Sequence, residues 1–254
     1  PYMVLTSGYA CILTADLKKG YLTKEPEMLK MLSEIFENCH SHASRFASLA
    51  DSANHAAEQM AFLSATFSER STGYSLQMEP CFMPVLTKEI LQKYVRKDLP
   101  GREIFLVQLQ DYTRQLAKQK MIYICSMEGI LRFLQNGRIP EIPDGLYEIP
   151  SASDRIQIVK ALLAPERATR LRILKNSIGN TETSIYLYIT PKTGTLRLPL
   201  ATDQMVNLQI QETGMLEAFY DFCENLDEEM FYSFEEAEQI VEEESTHMKN
   251  ANIK

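Results

Sequence analysis

Residues 121–150, MIYICSMEGILRFLQNGRIPEIPDGLYEIP, read as a strand, a turn, a helix and a second strand in succession. Residues 121–125 are a short apolar run rich in β-formers, the pattern of a buried strand. Ser126 then offers a hydroxyl to a helix start, with Gly129 just inside it. Ile130, Phe133 and Leu134 recur at helical spacing, and Gly137 stands where a left-handed helix cap belongs. The stretch predicts a mixed α/β core. No reacting group stands at the end of that strand with a partner in view, so it decides a fold class without naming a chemistry.

Downstream, residues 151–163 carry a further helix, capped by Ser151 or Ser153, with Ile156, Val159, Leu162 and Leu163 as its apolar positions. Residues 171–174, 184–190, 195–200 and 206–211 read as strands. Residues 191–194 are the clearest hairpin turn. Helices over 215–226 and 234–241 close the chain. On the other side, Thr87 caps a short helix to about residue 95. Residues 103–109 (EIFLVQL) read as a candidate strand, ambiguous with helix, and a helix follows through residue 120. Residues 74–86 look extended and contain Pro80 and Pro84. Residues 1–70 predict an all-helical segment: 2–17 apolar with a helical tendency, a long amphipathic helix from Thr23 to about Leu49, and a third from Asp51 to about Phe67. The expectation is therefore α/β of the mixed α+β kind, with a helical linker or dimerisation segment over 1–70 and a mixed-sheet effector domain over 71–254.

The chain has 254 residues, 45% apolar and 24% charged, in the range of soluble globular proteins. No stretch approaches the roughly 18 uninterrupted apolar residues of a membrane span, and residues 1–15 lack a basic start and a clear cleavage site. Five widely spaced cysteines without a C-x-x-C pair suit reduced core thiols of a cytoplasmic protein better than disulfides or structural zinc. The start at Pro1 is read as trimming of an upstream domain. The net charge of −8 argues against a grip on a phosphate backbone. Residues 198–248 hold 14 acidic residues and no lysine or arginine, while 151–200 hold eight basic residues against three acidic. An acidic helix face beside a basic one accounts for that pattern.

Among chemistry-bearing residues, His40 and His42 point to different sides of a helix, and His55 lies in the next one. No carboxylate or cysteine completes a metal-ligand spacing around them. His247-Met248-Lys249 matches the H-x-K start of the phospholipase D signature, but it sits in a polar helical tail with no aspartate after it. Cys125, beside a helix N-terminus, is a candidate nucleophile and more simply a buried apolar side chain. Glu128 with Arg132 makes an i, i+4 ion pair. Arg155, Arg167, Arg170 and Arg172 form the basic cluster of note, able to hold a phosphate or carboxylate. Neither G-x-G-x-x-G nor a Walker sequence occurs. No catalytic residue, metal ligand or cofactor is assigned. The strand-end crevice gives the ligand-binding candidates Ser126 and Glu128, with Arg155 as an anionic anchor.

The order of blocks carries a resemblance. MEPCFMPVLTKEILQKYV (78–95), LPGREIFLVQLQDYTRQL (99–116), MIYICSMEGILRFLQNGRIPEIP (121–143) and DRIQIVKALL (154–163) come first. SIYLYIT (184–190), QIQETGMLEAFYDFCENL (209–226) and YSFEEAEQIV (232–241) follow. The series resembles the effector-side region of bacterial, Firmicutes-type helix-turn-helix transcriptional regulators, over about residues 74–241. The helix-turn-helix itself is not visible. The later strands and helices also resemble a phospholipase D-type α/β layer without its active-site residues, a likeness of fold alone. The resemblance implies a cytoplasmic homodimer that couples a small molecule, or a protein or peptide effector, to DNA through an upstream domain, with no membrane partner. The alternatives are a hydrolase or phosphodiesterase using Cys125 or the histidines, and an acidic interaction scaffold docking a basic partner.

Overall fold

Strands stand where the first helix is expected. In a computed structural model, which describes residues 2–42, 47–50, 72–142, 144–178, 185–199 and 205–251, the chain divides into two units, Pro1–Arg45 and Phe46–Lys254. The first unit opens with three antiparallel strands, β1 (Tyr2–Leu5), β2 (Ala10–Leu13) and β3 (Gly20–Thr23). Val4 faces Cys11, and Cys11 faces Leu22. The apolar runs are four residues each, too short for a helix. The polar groups between them fold into turns: the Thr6 hydroxyl accepts from the Tyr9 N–H at 3.0 Å, and Asp16 accepts from the Lys18 N–H at 3.2 Å. Pro26 sits at the first position of α1 (Pro26–His42), where its missing N–H is no loss. The long helix expected to reach residue 49 stops at His42, and residues 47–50 are a strand. The third expected helix lies outside the described residues.

The second unit is built on a seven-stranded mixed sheet. Its strands are β4 (Ala47–Ala50), β5 (Thr72–Gln77), β6 (Lys120–Ser126), β7 (Leu171–Leu174), β8 (Tyr186–Ile189), β9 (Gly194–Pro199) and β10 (Met205–Ile210), in the order β4-β10-β9-β8-β5-β6-β7. β5, β6 and β7 are parallel, and the other pairings are antiparallel. The two parallel crossovers supply α2 (Lys88–Tyr94) and α3 (Arg102–Lys118), then α4 (Met127–Asn136) and α5 (Ala152–Leu162). α6 (Thr213–Glu224) and α7 (Phe234–Ala251) follow the last strand. The mixed α/β class read from residues 121–150 is the class observed.

Local chemistry explains the elements. Thr87, Ser126 and Ser151 each cap a helix, their hydroxyls accepting from Ile90, Gly129 and Asp154 N–H. Gly137 closes α4 at φ 71°, the left-handed position that favours glycine. Residues 103–109 belong to α3, not to a strand. Leu106, Leu109, Tyr112 and Leu116 are buried on one face of it, so the three-four spacing prevails over the β-rich composition. The opening stretch does not end in a sheet strand either. After Gly137 the chain turns, and Tyr147 makes only an isolated bridge to Val95.

Side chains alternate across the sheet. Tyr74, Leu76, Ile124, Leu174, Leu187 and Ile189 point to a core shared with Leu216 and Cys223 of α6. Cys125, Leu171 and Ile173 point to the larger core, with residues of α2, α3, α4, α5 and α7. There the Phe82 and Phe133 rings lie 3.9 Å apart between centroids. α4 closes tightly on the turn after β5. The Met78 carbonyl accepts from both the N–H and the hydroxyl of Ser126, at 3.0 and 2.9 Å, and a Cβ on Gly129 would stand 2.1 Å from that same oxygen.

Candidate functional site

On the face that packs against the larger core, the middle of the sheet is polar. Register places Tyr123, Ser75, Tyr188 and Thr195 in one row across β6, β5, β8 and β9, with Gln77, Tyr186 and Arg197 in the next. Neighbouring strands lie about 4.8 Å apart, so these side chains form a continuous polar floor. Over it stand Cys81 from the segment after β5, Tyr112 of α3, and Glu141 from the loop after α4. Cys81 and Glu141 act on each other's protonation, and both act on that of Tyr112.

This is an expensive place for polar groups. Burial pushes the Cys81 thiol well above its usual range, and the Glu141 carboxylate adds to the shift. Burial does the same to the Tyr112 phenol, with Cys81 and Glu141 reinforcing it. Glu141 itself is pushed up to about 7 by burial, against the pull of the thiol and of Arg197. Burial draws Arg197 downward, while its guanidinium lies 4.9 Å from the Tyr186 ring. Several atoms out of solvent contact lack a hydrogen bond here: both Glu141 carboxylate oxygens, Arg197 Nε, Thr195 Oγ1 and the Tyr123 hydroxyl. Such groups are rare in folded proteins and ask for an explanation.

A cleft adjoins this layer. Cys81, Pro84, Leu116, Ala117, Tyr123, Leu162, Arg167, Arg170 and Leu171 line it. Cys81 and Tyr123 belong both to the cleft wall and to the polar layer. Arg167 is anchored by a hydrogen bond from Nη2 to the Pro84 carbonyl at 2.9 Å, and Arg170 by one from Nη1 to the Gln119 carbonyl at 2.9 Å. Both thiol and phenol are held neutral, because burial raises each. The site therefore offers hydrogen-bond donors and two fixed cations beside apolar walls, the equipment of recognition.

The candidates read from the sequence lie elsewhere. Ser126 is fully used, donating to Met78 and accepting from Gly129, and the strand-end crevice is filled by the close approach of residues 78–79 to Gly129. Glu128 forms the anticipated pair with Arg132 at 2.6 Å and accepts from the Ser177 hydroxyl. Arg155 bonds the Gln135 carbonyl at 2.6 Å, near the far end of α4, roughly 14 Å along the helix from Ser126 at 1.5 Å per residue. These three residues do not converge. Nor does the basic cluster stay whole. Arg167 and Arg170 meet at the cleft, whereas Arg172 lies over the Phe231 ring at 3.8 Å and pairs with Glu228 at 2.7 Å.

Cys125 lies in the larger core, its thiol pushed up to about 12 by burial, which removes it as a nucleophile. His40 stacks on Phe36, and His42 Nδ1 lies 2.7 Å from the Asn38 carbonyl. His55 is outside the described residues. His247 and Lys249 are exposed on α7. Among the described residues no group of three or more His, Cys, Asp or Glu could hold a metal ion, and no helix is long and apolar enough to cross a membrane. Sequence reasoning missed Cys81, Tyr112, Tyr123, Glu141 and Arg197. The available signal was period-two polarity inside strands: Ser75 with Gln77, Tyr186 with Tyr188, Thr195 with Arg197. Comparison with known proteins gives no matching family model, no matching curated protein and no matching solved structure.

Proposed function

We propose that this chain is the signal-receiving part of a cytoplasmic transcriptional regulator, with a small-molecule effector binding in the cleft bounded by Cys81 and Tyr123. The observation that carries the receiving role is the set of buried polar atoms without hydrogen bonds beside an open cleft. A ligand or ordered water that completed those bonds would stabilise the occupied state over the empty one, which is what a sensor needs. The link to transcription comes from the resemblance of blocks 78–241 to regulator effector regions. Self-association into a homodimer suits the exposed sheet face of the first unit, where Tyr2, Val4 and Leu22 are 57%, 57% and 63% exposed.

The test has two steps. Native mass spectrometry of freshly purified protein reads subunit number and any retained small molecule. A mobility-shift assay of the full-length gene product on its own promoter follows, with and without that molecule. A promoter complex whose affinity changes with the compound is the expected result. A full-length product that binds no DNA, or binds it with indifference to every compound retained, removes the reading.

A further inference from the structure

We infer that the cleft is an oxyanion site: Arg167, Arg170 and the Tyr123 hydroxyl bind the phosphoryl or carboxylate group of a small molecule whose remainder packs on Pro84, Leu116, Ala117 and Leu162. The inference deepens the receiving role proposed above and rests on it for its biological meaning.

The first ground is what the arginines lack. In a chain with eight more acidic than basic residues, carboxylates are plentiful, and five of the arginines pair with one. Arg96, Arg102, Arg114, Arg132 and Arg172 each lie within 3.6 Å of one. Arg167 and Arg170 share one cleft, and among the described residues neither makes an ion pair. Each is fixed by one hydrogen bond to a backbone carbonyl, which orients a guanidinium yet leaves most of its five N–H groups free. Two oriented forks in one cleft match the geometry of a phosphate or carboxylate.

The second ground is independent. The Tyr123 hydroxyl is out of solvent contact and has no hydrogen-bond partner, while its side chain lines the same cleft. It is near enough to Arg167 and Arg170 for their charges to act on it. A phenol kept protonated is a donor, and a donor beside two cations is satisfied by an anion. Cys81, also a neutral donor, borders the same space. The apolar walls lower the local dielectric, which strengthens each of these contacts.

The experiment uses the whole chain and two probes, inorganic phosphate and acetate, each compared with sodium chloride at equal ionic strength. Thermal unfolding and titration calorimetry are the readouts. Saturable binding of either anion, weakened about tenfold or more in both Arg167→Gln and Arg170→Gln, supports the inference. Arg114→Gln, an exposed pair partner on α3, leaves it unchanged. Tyr123→Phe separates a ligand-binding hydroxyl from a merely structural one. The variant keeps the ring and removes a buried hydroxyl that has no partner, so it unfolds no earlier than the parent, yet it binds the anion several-fold more weakly. Response to phosphate alone assigns a phosphoryl ligand, and response to acetate alone assigns a carboxylate. Absence of any response beyond sodium chloride, or an anion response that all three cleft variants retain, overturns the oxyanion site. In that case, a neutral compound retained in native mass spectrometry leaves the receiving role standing, and an empty spectrum takes both down.

Discussion

Glu141 holds two oxygens out of water without a hydrogen bond, and its effect on stability depends on pH. Its carboxyl is pushed up to about 7 by burial, from 4.5 in the unfolded chain. Between those values the folded protein keeps a proton that the unfolded chain has released. Stability therefore falls as pH rises through that window, and levels off above it. At about 1.4 kcal/mol per pH unit, the loss is roughly 3 kcal/mol. Urea midpoints measured from pH 5 to pH 8 should decline for the parent protein and stay flatter in Glu141→Gln, with the variant the more stable at pH 8. Parallel profiles for the two proteins would show that Glu141 is ionised and satisfied in solution. The thiols make a second prediction at this scale. Cys39 is exposed and Cys11 half-buried, whereas Cys81, Cys125 and Cys223 are buried, with burial raising all three thiols. A disulfide reagent should modify Cys39 and Cys11 in the native protein and the other three only as it unfolds. Rapid native labelling of Cys81 would mean that the cleft opens far wider than its lining suggests.

At the scale of elements, the join between β6 and α4 is the most constrained feature of the fold. The Met78 carbonyl takes two hydrogen bonds from Ser126, and the backbone at Gly129 passes so near that any side chain must displace it. Gly129→Ala should cost about 3 kcal/mol through overpacking, read as a lower urea midpoint with unchanged slope. Gly145→Ala, where a Cβ meets nothing within 4 Å, should be close to neutral. Much of this join was legible: strand, capping serine, inward glycine, helical apolar face and closing glycine appear in order over residues 121–137. The misread elements share a cause. Residues 2–17 and 103–109 are apolar runs in which strand and helix compete, and the outcome turns on partners the sequence does not display. In α3 the winning partners are the segment around Met83 and helix α2. In the first unit each run pairs with a neighbouring strand across a tight turn. The site was less legible still, because its parts come from residues 75–81, 112–123, 141, 167–170 and 186–197. Only tertiary pairing brings these together, and a polar residue at period two looks like a solvated strand face until helices are known to cover it.

Taken whole, the chain distributes its apolar burial unequally. Both large cores lie within residues 46–254. In residues 1–45 the buried apolar side chains among those described are Ala10 and Leu32, far too few to hold a fold of that size by themselves. Tyr2, Val4, Tyr9, Leu17, Tyr21 and Leu22 are all exposed there, so the first unit has little to lose by opening. Hydrogen exchange followed by mass spectrometry on the intact chain should separate the two units. Amides of β1, β2 and β3 should exchange through local opening, at least about a hundredfold faster than those of β5 and β6, which exchange only with global unfolding. Dilution distinguishes intrinsic weakness from protection by association. If a second copy covers the exposed sheet face, protection in residues 2–23 rises with protein concentration, while that in residues 120–134 does not. Equal and concentration-independent protection in both segments would mean that residues 1–45 unfold together with the larger unit.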